Sequence, residues 1–237
     1  YYMCNVNRPP LDDPKVRKAL NMAIDKEALV RYVTKADERP ATTMVPPLQG
    51  YDAPLGADFD PELARRLLAD AGYPNGVGFP EVTVNFNIME AHSLVAQAIQ
   101  EMWRVNLGID VTLANMEWKV YLKQQHVQDY QISRSGWIGD YADPMAFLEV
   151  WYCDASNNHS GYCNPEFDAL LNQARAEQGA AKRMQLLREA ESLLIQDQPF
   201  LPLYHYTQPY LLRDDVGGFE ENLRDIHLFR HMYRVES

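Results

Sequence analysis

No apolar run in these 237 residues approaches about 18 positions, which excludes a membrane-spanning helix. Basic residues are outnumbered, 22 Lys and Arg against 33 Asp and Glu, for a formal net charge of -11. With no basic stripe to offer phosphates, a nucleic-acid partner is not expected. A G-x-x-x-x-G-K-[ST] phosphate loop and a G-x-S-x-G nucleophile elbow are both missing. Cysteine is scarce, three in all. Cys153 and Cys163 bracket a polar loop that a disulfide could close, worth about 3 kcal/mol in the chain-entropy picture. That pairing suits an oxidising compartment, whereas two reduced, unrelated thiols are the other reading. The spacing is not CxxC, so zinc is not expected, and Cys4 is left over. Tyr1-Tyr2-Met3-Cys4 begins abruptly, strand-like and without an initiator Met or signal peptide. The sequence therefore reads as a fragment, and a missing targeting segment says nothing of location.

What is present is ordinary for a soluble globular chain: 46% hydrophobic and 23% charged residues, enough to bury a core in one large or two small domains. Asp13-Pro14 opens a helix with Val16, Leu20 and Ala23 on one face, and Asp25 caps a second running to about Val33. The Pro- and Gly-containing stretch from Pro40 to Asp58 reads as a long loop. Asp60-Pro61 starts a helix with Leu63, Leu67 and Leu68 inward, and Gly72 stops it. Strand Glu81 to Ile88, helix Glu90 to Asn106 (Leu94, Ala98, Met102 and Val105 apolar) and strand Ile109 to Met116 make a β-α-β unit. Two parallel strands so joined imply an α/β sheet. A helix from Trp118 to His126 and a strand from Tyr130 to Ser135 follow. Helices over 165–177 and 180–196 lead to a strand from Phe200 to Tyr206, and the last thirty residues read as irregular, with Gly217-Gly218 as a turn.

The most informative run is Gly136-Trp137-Ile138-Gly139-Asp140-Tyr141-Ala142-Asp143-Pro144. Asp143-Pro144 reads as a helix start, an N-cap carboxylate with proline in the first turn. Asp140 then lies in a glycine-flanked loop off the end of the strand carrying Arg134, where it can face a cavity and pair with a cation. Asp140 and Asp143 together would suit a glycosidase-like acid and base, but capping explains Asp143 without chemistry. His227 and His231 are spaced i, i+4, yet the residues between lack a zincin's glutamate, and the pair reads as structural. No cofactor is implied.

Several stretches carry a resemblance: Asp13-Pro14-Lys15-Val16-Arg17-Lys18-Ala19-Leu20, Leu67-Leu68-Ala69-Asp70-Ala71-Gly72-Tyr73, Asn115-Met116-Glu117-Trp118-Lys119, the Gly136 to Pro144 run, Asn164-Pro165-Glu166-Phe167-Asp168 and Pro202-Leu203-Tyr204-His205-Tyr206. In that order they resemble the C-terminal half of the periplasmic oligopeptide-binding proteins of bacterial peptide ABC importers, solute-binding protein family 5. The resemblance implies an α/β, periplasmic-binding-protein-like lobe (type II, peptide-binding class) with a mixed sheet flanked by helices. It implies short peptides as ligand, with a dipeptide, a murein peptide or a nickel chelate as the alternative solutes within the family, a membrane permease of an ABC importer as partner, and a periplasmic or extracytoplasmic site, with lipid anchoring of the parent open. Residues 8–201 would be the ligand-binding lobe, 1–7 and 202–206 two hinge strands, and 207–237 a segment of the other lobe.

Roles follow position by position from the resemblance. Asp140 would receive the peptide's α-ammonium group. Gly136 and Ile138, flanking Trp137, would pair their backbone with an extended peptide as an added strand. Trp137 and Trp118 match walls of side-chain pockets, with core packing the alternative for Trp118. Arg134 and His92 match groups that meet the peptide carboxylate; a structural ion pair and an exposed helix-start residue are the plain alternatives. Asn87, Asn157 and Tyr206 match polar groups lining the cleft. Cys153–Cys163 resembles the bridge of dipeptide-binding relatives. The sequence departs at Gln125, where an arginine is expected, at Cys4, where a glutamate is, and at Ile138, which replaces a cysteine. A lysine expected near Thr34-Lys35 has no clear register.

Overall fold

The computed structural model describes residues 1–207, 210–220, 222 and 226–235. After strand β1 (Tyr2–Cys4) comes α1 (Pro14–Met22), whose start is fixed by Asp13 accepting from the Lys15 amide and by Pro14, which has no N–H to leave unpaired. Asp25 caps α2 (Lys26–Ala28), and a π-helical stretch from Leu29 to Thr34 carries the expected second helix to its end. Strand β2 (Arg39–Pro40) opens the long connection. In α3 (Pro61–Asp70) Asp60 accepts from the Leu63 amide.

Strand β3 (Val82–Asn87), helix α4 (Glu90–Leu107) and strand β4 (Val111–Met116) form the expected parallel unit, Val82 opposite Val111 and Asn87 opposite Met116. Glu117 caps α5 (Trp118–His126) by accepting from the Lys119 and Val120 amides, and β5 (Ile132–Arg134) follows. Next come α6 (Met145–Leu148), α7 (Pro165–Ala176), α8 (Ala180–Asp197), β6 (Phe200–Leu201) and β7 (Tyr204–His205). Near the end, β8 (Val216–Gly217) pairs antiparallel with β9 (Tyr233–Arg234).

The main sheet is mixed, in the order β4-β3-β5-β1-β6. β3 is parallel to β4 and β5, and β1 runs antiparallel to both β5 and β6. Side chains alternate along β1: Tyr2 and Cys4 enter one core, built with α1, α3 and α4, while Met3 enters another, built with α6, α7 and α8. Three residues thus join two apolar cores across one sheet.

Three elements differ from the sequence reading. Leu94 and Val105 of α4 are exposed, and the buried stripe is Val95, Ile99, Trp103 and Leu107, on the neighbouring face. Both stripes have helical spacing. The buried one holds the larger apolar volume, and Trp103 finds a partner there by donating its Nε1–H to the Leu20 carbonyl at 2.8 Å. The strand expected from Phe200 to Tyr206 is broken. Pro202 brings no N–H to the ladder, so β6 ends, and β7 pairs with β2 in a separate ribbon. The C-terminal segment, expected to be irregular, carries the β8–β9 pair, and Gly218 turns there at a φ of 75°. His227 stacks on Phe219 at 4.2 Å.

Cys153 and Cys163 are joined, with Cα atoms 4.4 Å apart, and Cys4 is a buried free thiol whose pKa burial pushes up to about 12. Replacing both bridge cysteines by serine is expected to lower unfolding stability by about 2–3 kcal/mol, read from urea denaturation, through a less constrained unfolded chain.

Candidate functional site

Strands β3, β4 and β5 run the same way, so their C-terminal ends share one edge of the sheet. Asn87 ends β3, Trp118 follows β4 and Arg134 ends β5. β1 runs the other way, and its Tyr2 stands opposite both Arg134 and Leu201, which brings Tyr1 and Pro202 to the same edge. In open α/β sheets this carboxyl edge is where ligands settle, because the strands end there and the loops can splay.

A cavity of about 490 Å³ lies at this edge. One stretch of the lining is Gly136, Trp137, Ile138 and Gly139, and another runs from Pro202 to Thr207. Ala41, Thr43, Met44 and Pro46 of the long connection form a third, with Tyr1, Phe147 and Phe200 completing the lining. The surfaces are chiefly aromatic and aliphatic, and His205 is the one lining side chain of basic type. Burial, reinforced by nearby positive charge including Arg39, pushes the His205 imidazole pKa well below its ordinary value.

The Gly136–Gly139 wall is positioned from both sides. Trp137 donates its Nε1–H to the Ala146 carbonyl at 2.7 Å, tying the wall to α6. Gly139 lies against Phe147 so closely that an added Cβ would come within 2.7 Å of the ring. Among the described residues no hydrogen bond is made by the backbone N–H or C=O groups from Gly136 to Asp140. These donors and acceptors are free along the cavity.

A narrow crevice adjoins the cavity, lined by Tyr2, His92, Arg134 and Tyr206 among others. Arg134 donates to the Tyr206 hydroxyl, and among the described residues it makes no ion pair. His92 is buried rather than exposed, and its Nδ1, like Asn87 Oδ1 and the Tyr2 hydroxyl, lacks a hydrogen-bond partner. Burial, then the Arg134 charge, lower the His92 pKa below its ordinary value. Gln125, at the position of the missing arginine, braces the end of β5: its amide donates to Tyr121 Oη, Ser133 Oγ and the Arg134 carbonyl. Trp118 is not core. It is half exposed and stacks on Tyr121 at 5.6 Å.

Asp140 follows the cavity wall directly, but its side chain is exposed and outside the lining. Among the described residues it makes no ion pair or side-chain hydrogen bond. Asp143 has other work: Arg183 grips it with two bonds of 2.7 and 2.8 Å, and it accepts from the Met145 amide. Burial tends to raise its pKa, but the guanidinium and the amide outweigh this and hold the carboxyl below its usual range. Asn157 is exposed in the disulfide-closed loop and is not brought to the cavity. Met44, Phe147 and Leu203 line the cavity without having been singled out in the sequence; as isolated apolar residues in loops and a one-turn helix they give no local signal.

The sequence profile of the bacterial extracellular solute-binding proteins, family 5 (middle region), matches residues 1–159. The chain belongs to this family. Among family 5 relatives, it is 38% identical over 227 residues to the oligopeptide-binding protein OppA of Bacillus subtilis, covering 92% of this chain and 42% of that protein. It is 34% identical to the periplasmic murein peptide-binding protein MppA of Escherichia coli over all of this chain and 45% of the relative. A crystal structure of a periplasmic oligopeptide-binding protein of Borrelia burgdorferi superposes with a TM-score of 0.90 at 38% identity, covering 99% of this chain and 48% of that one. The family 5 chain therefore spans less than half the length of these relatives, and its fold is the α/β lobe with a mixed sheet that the sequence implied.

Gly139→Ala is expected to cost about 1–3 kcal/mol by overpacking against Phe147, measured by urea unfolding. The double variant Gly139→Ala, Phe147→Leu should recover most of that loss.

Proposed function

We propose that this chain is the ligand-binding lobe of an extracytoplasmic solute-binding protein. That protein would capture short peptides in extended form and deliver them to the membrane permease of an ABC importer. The observation that carries the reading is the backbone from Gly136 to Gly139, unpaired among the described residues, along the cavity. Unpaired amides and carbonyls beside an apolar hollow suit main-chain pairing with a peptide, which gives affinity without reading sequence. Family membership and relatives named for oligopeptides and murein peptides support it.

In this reading Asp140, exposed and without a partner among the described residues, receives the peptide ammonium group once the remainder of the protein covers the cleft. Gly136 and Ile138 supply the pairing backbone, and Trp137 and Trp118 flank side-chain pockets. Arg134 and His92 sit where a peptide carboxylate would find a guanidinium and a polar ring. Asn87 and Tyr206 line the same edge, and Asn157 would contribute only from its loop. The cavity's aromatic and aliphatic walls favour a bulky apolar side chain. Residues 1–7 and 202–206 serve as the hinge strands, 8–201 as the lobe, and 207–237 as part of the other lobe. The Cys153–Cys163 bridge fits an oxidising, periplasmic or extracytoplasmic location. Among the described residues no helix is long and apolar enough to cross a membrane.

A carboxylate-dependent hydrolase is disfavoured because Asp143 is already neutralised by Arg183. In the complete protein, Asp140→Asn is expected to weaken a free-amino tetrapeptide by about 3 kcal/mol, roughly a hundredfold, while N-acetylated peptide binding changes little. Isothermal titration of both peptides checks this; equal losses for the two would refute the anchoring role.

A further inference from the structure

Helix α8 carries a carboxylate in a place where few are tolerated. Glu191 is fully buried, at 0% exposure, on the apolar stripe of Leu187, Ala190 and Leu194. Its two oxygens divide three donors: Oε1 accepts from the Met44 amide at 2.9 Å and the Val45 amide at 2.7 Å, and Oε2 accepts from the Tyr51 hydroxyl at 2.6 Å. All three donors belong to the long connection after β2, and Met44 lines the cavity together with Ala41, Thr43 and Pro46. One buried acid thus holds one wall of the ligand cavity.

We propose that Glu191 is a positioning residue that sets this wall, clamping the 44–51 segment when ionised and loosening it when protonated. The inference deepens the ligand-cavity reading and rests on it only for the consequence to binding.

The chemistry follows from the donors. Every partner of Glu191 gives a hydrogen and none accepts one, an arrangement that suits the anion, since charge-assisted bonds are about twice as strong as neutral ones. On protonation the new hydrogen sits on Oε2, facing the Tyr51 hydroxyl. Tyr51 must then stop donating and accept instead, or move away, while Oε1 keeps the two amides as a weaker neutral acceptor. Burial raises the Glu191 pKa from 4.5 to about 6, while Tyr51, Val45 and Met44 work to lower it. The other charges nearby are the exposed Arg188–Asp52 pair, one turn earlier on α8, and Arg183, two turns earlier, which is committed to Asp143. From α7 the packing is apolar, through Phe167, Leu171 and Ala174. A raised acid pKa means that the folded chain binds more protons than the unfolded chain between about pH 4.5 and 6. Global stability from this group therefore falls as pH rises through that window, while the local clamp tightens.

The test reads the wall itself, with no ligand present, so a failure of peptide binding and a failure of the clamp are seen separately. Amide hydrogen exchange of Met44 and Val45, expressed as protection factors, and the 13C shift of the Met44 methyl group are followed from pH 4.5 to 8. Wild type should show protection rising about fivefold, the effect of exchanging a neutral for an ionic acceptor, with a midpoint near pH 6 shared by the methyl signal. Glu191→Gln, which offers a carbonyl to both amides and an NH₂ to Tyr51, should remain at the low-protection level at every pH. Tyr51→Phe removes a donor that favours the anion and should move the midpoint upward. Wild-type protection that ignores pH, a step that survives in Glu191→Gln, or a midpoint unmoved by Tyr51→Phe would each overturn the proposal.

Discussion

The register of one three-residue strand fixes the architecture of the site. β1 lies inside the sheet, antiparallel to both neighbours, and Tyr2 stands in register opposite Arg134 on one side and Leu201 on the other. A slip of one residue would swap Tyr2 and Cys4 with Met3 between two cores, exchanging a phenol ring and a small thiol for a flexible thioether across densely packed interiors. The sheet cannot accept that, so the ends of β5 and β6 are held level. The stretches leaving those ends line the cavity together.

Much of this was legible in the chain because it rests on local patterns. Alternation at Val82, Val84 and Phe86, followed by a helix with a Gly108 stop, fixes the parallel unit, and parallel strands carry their functional groups at one edge. The Asp-Pro and Asn-Pro pairs at helix starts are equally local, as Asn164 shows by accepting from the Glu166 and Phe167 amides. The cluster of Arg134, His92, Tyr206 and the Gly136–Gly139 wall at one edge follows from this order.

What was not legible depends on competition or on distance. Two apolar stripes on α4 have the same period, and only tertiary packing, with a home for the Trp103 N–H, selects between them. Pro202 breaks a run whose β-propensity otherwise reads as continuous. Glu191 looks like any solvated helix acid, although its place between Leu187 and Leu194 on one stripe is a faint signal. Its partners lie some 140 positions earlier in the chain, and no local rule reaches them. The exposure of Asp140 and the remoteness of Asn157 are likewise facts of three dimensions.

The bare ribbon from Gly136 to Asp140 has a further meaning for the molecule when no guest occupies it. Free amides and carbonyls in a row, with Ile138 78% exposed among them, form a template that another strand could extend. Two such ribbons on separate molecules could zip together. The charge at Asp140 and the overall surplus of eleven negative charges set mutual repulsion against that outcome. The acidic character of the chain thus doubles as protection for a sticky edge that is left open.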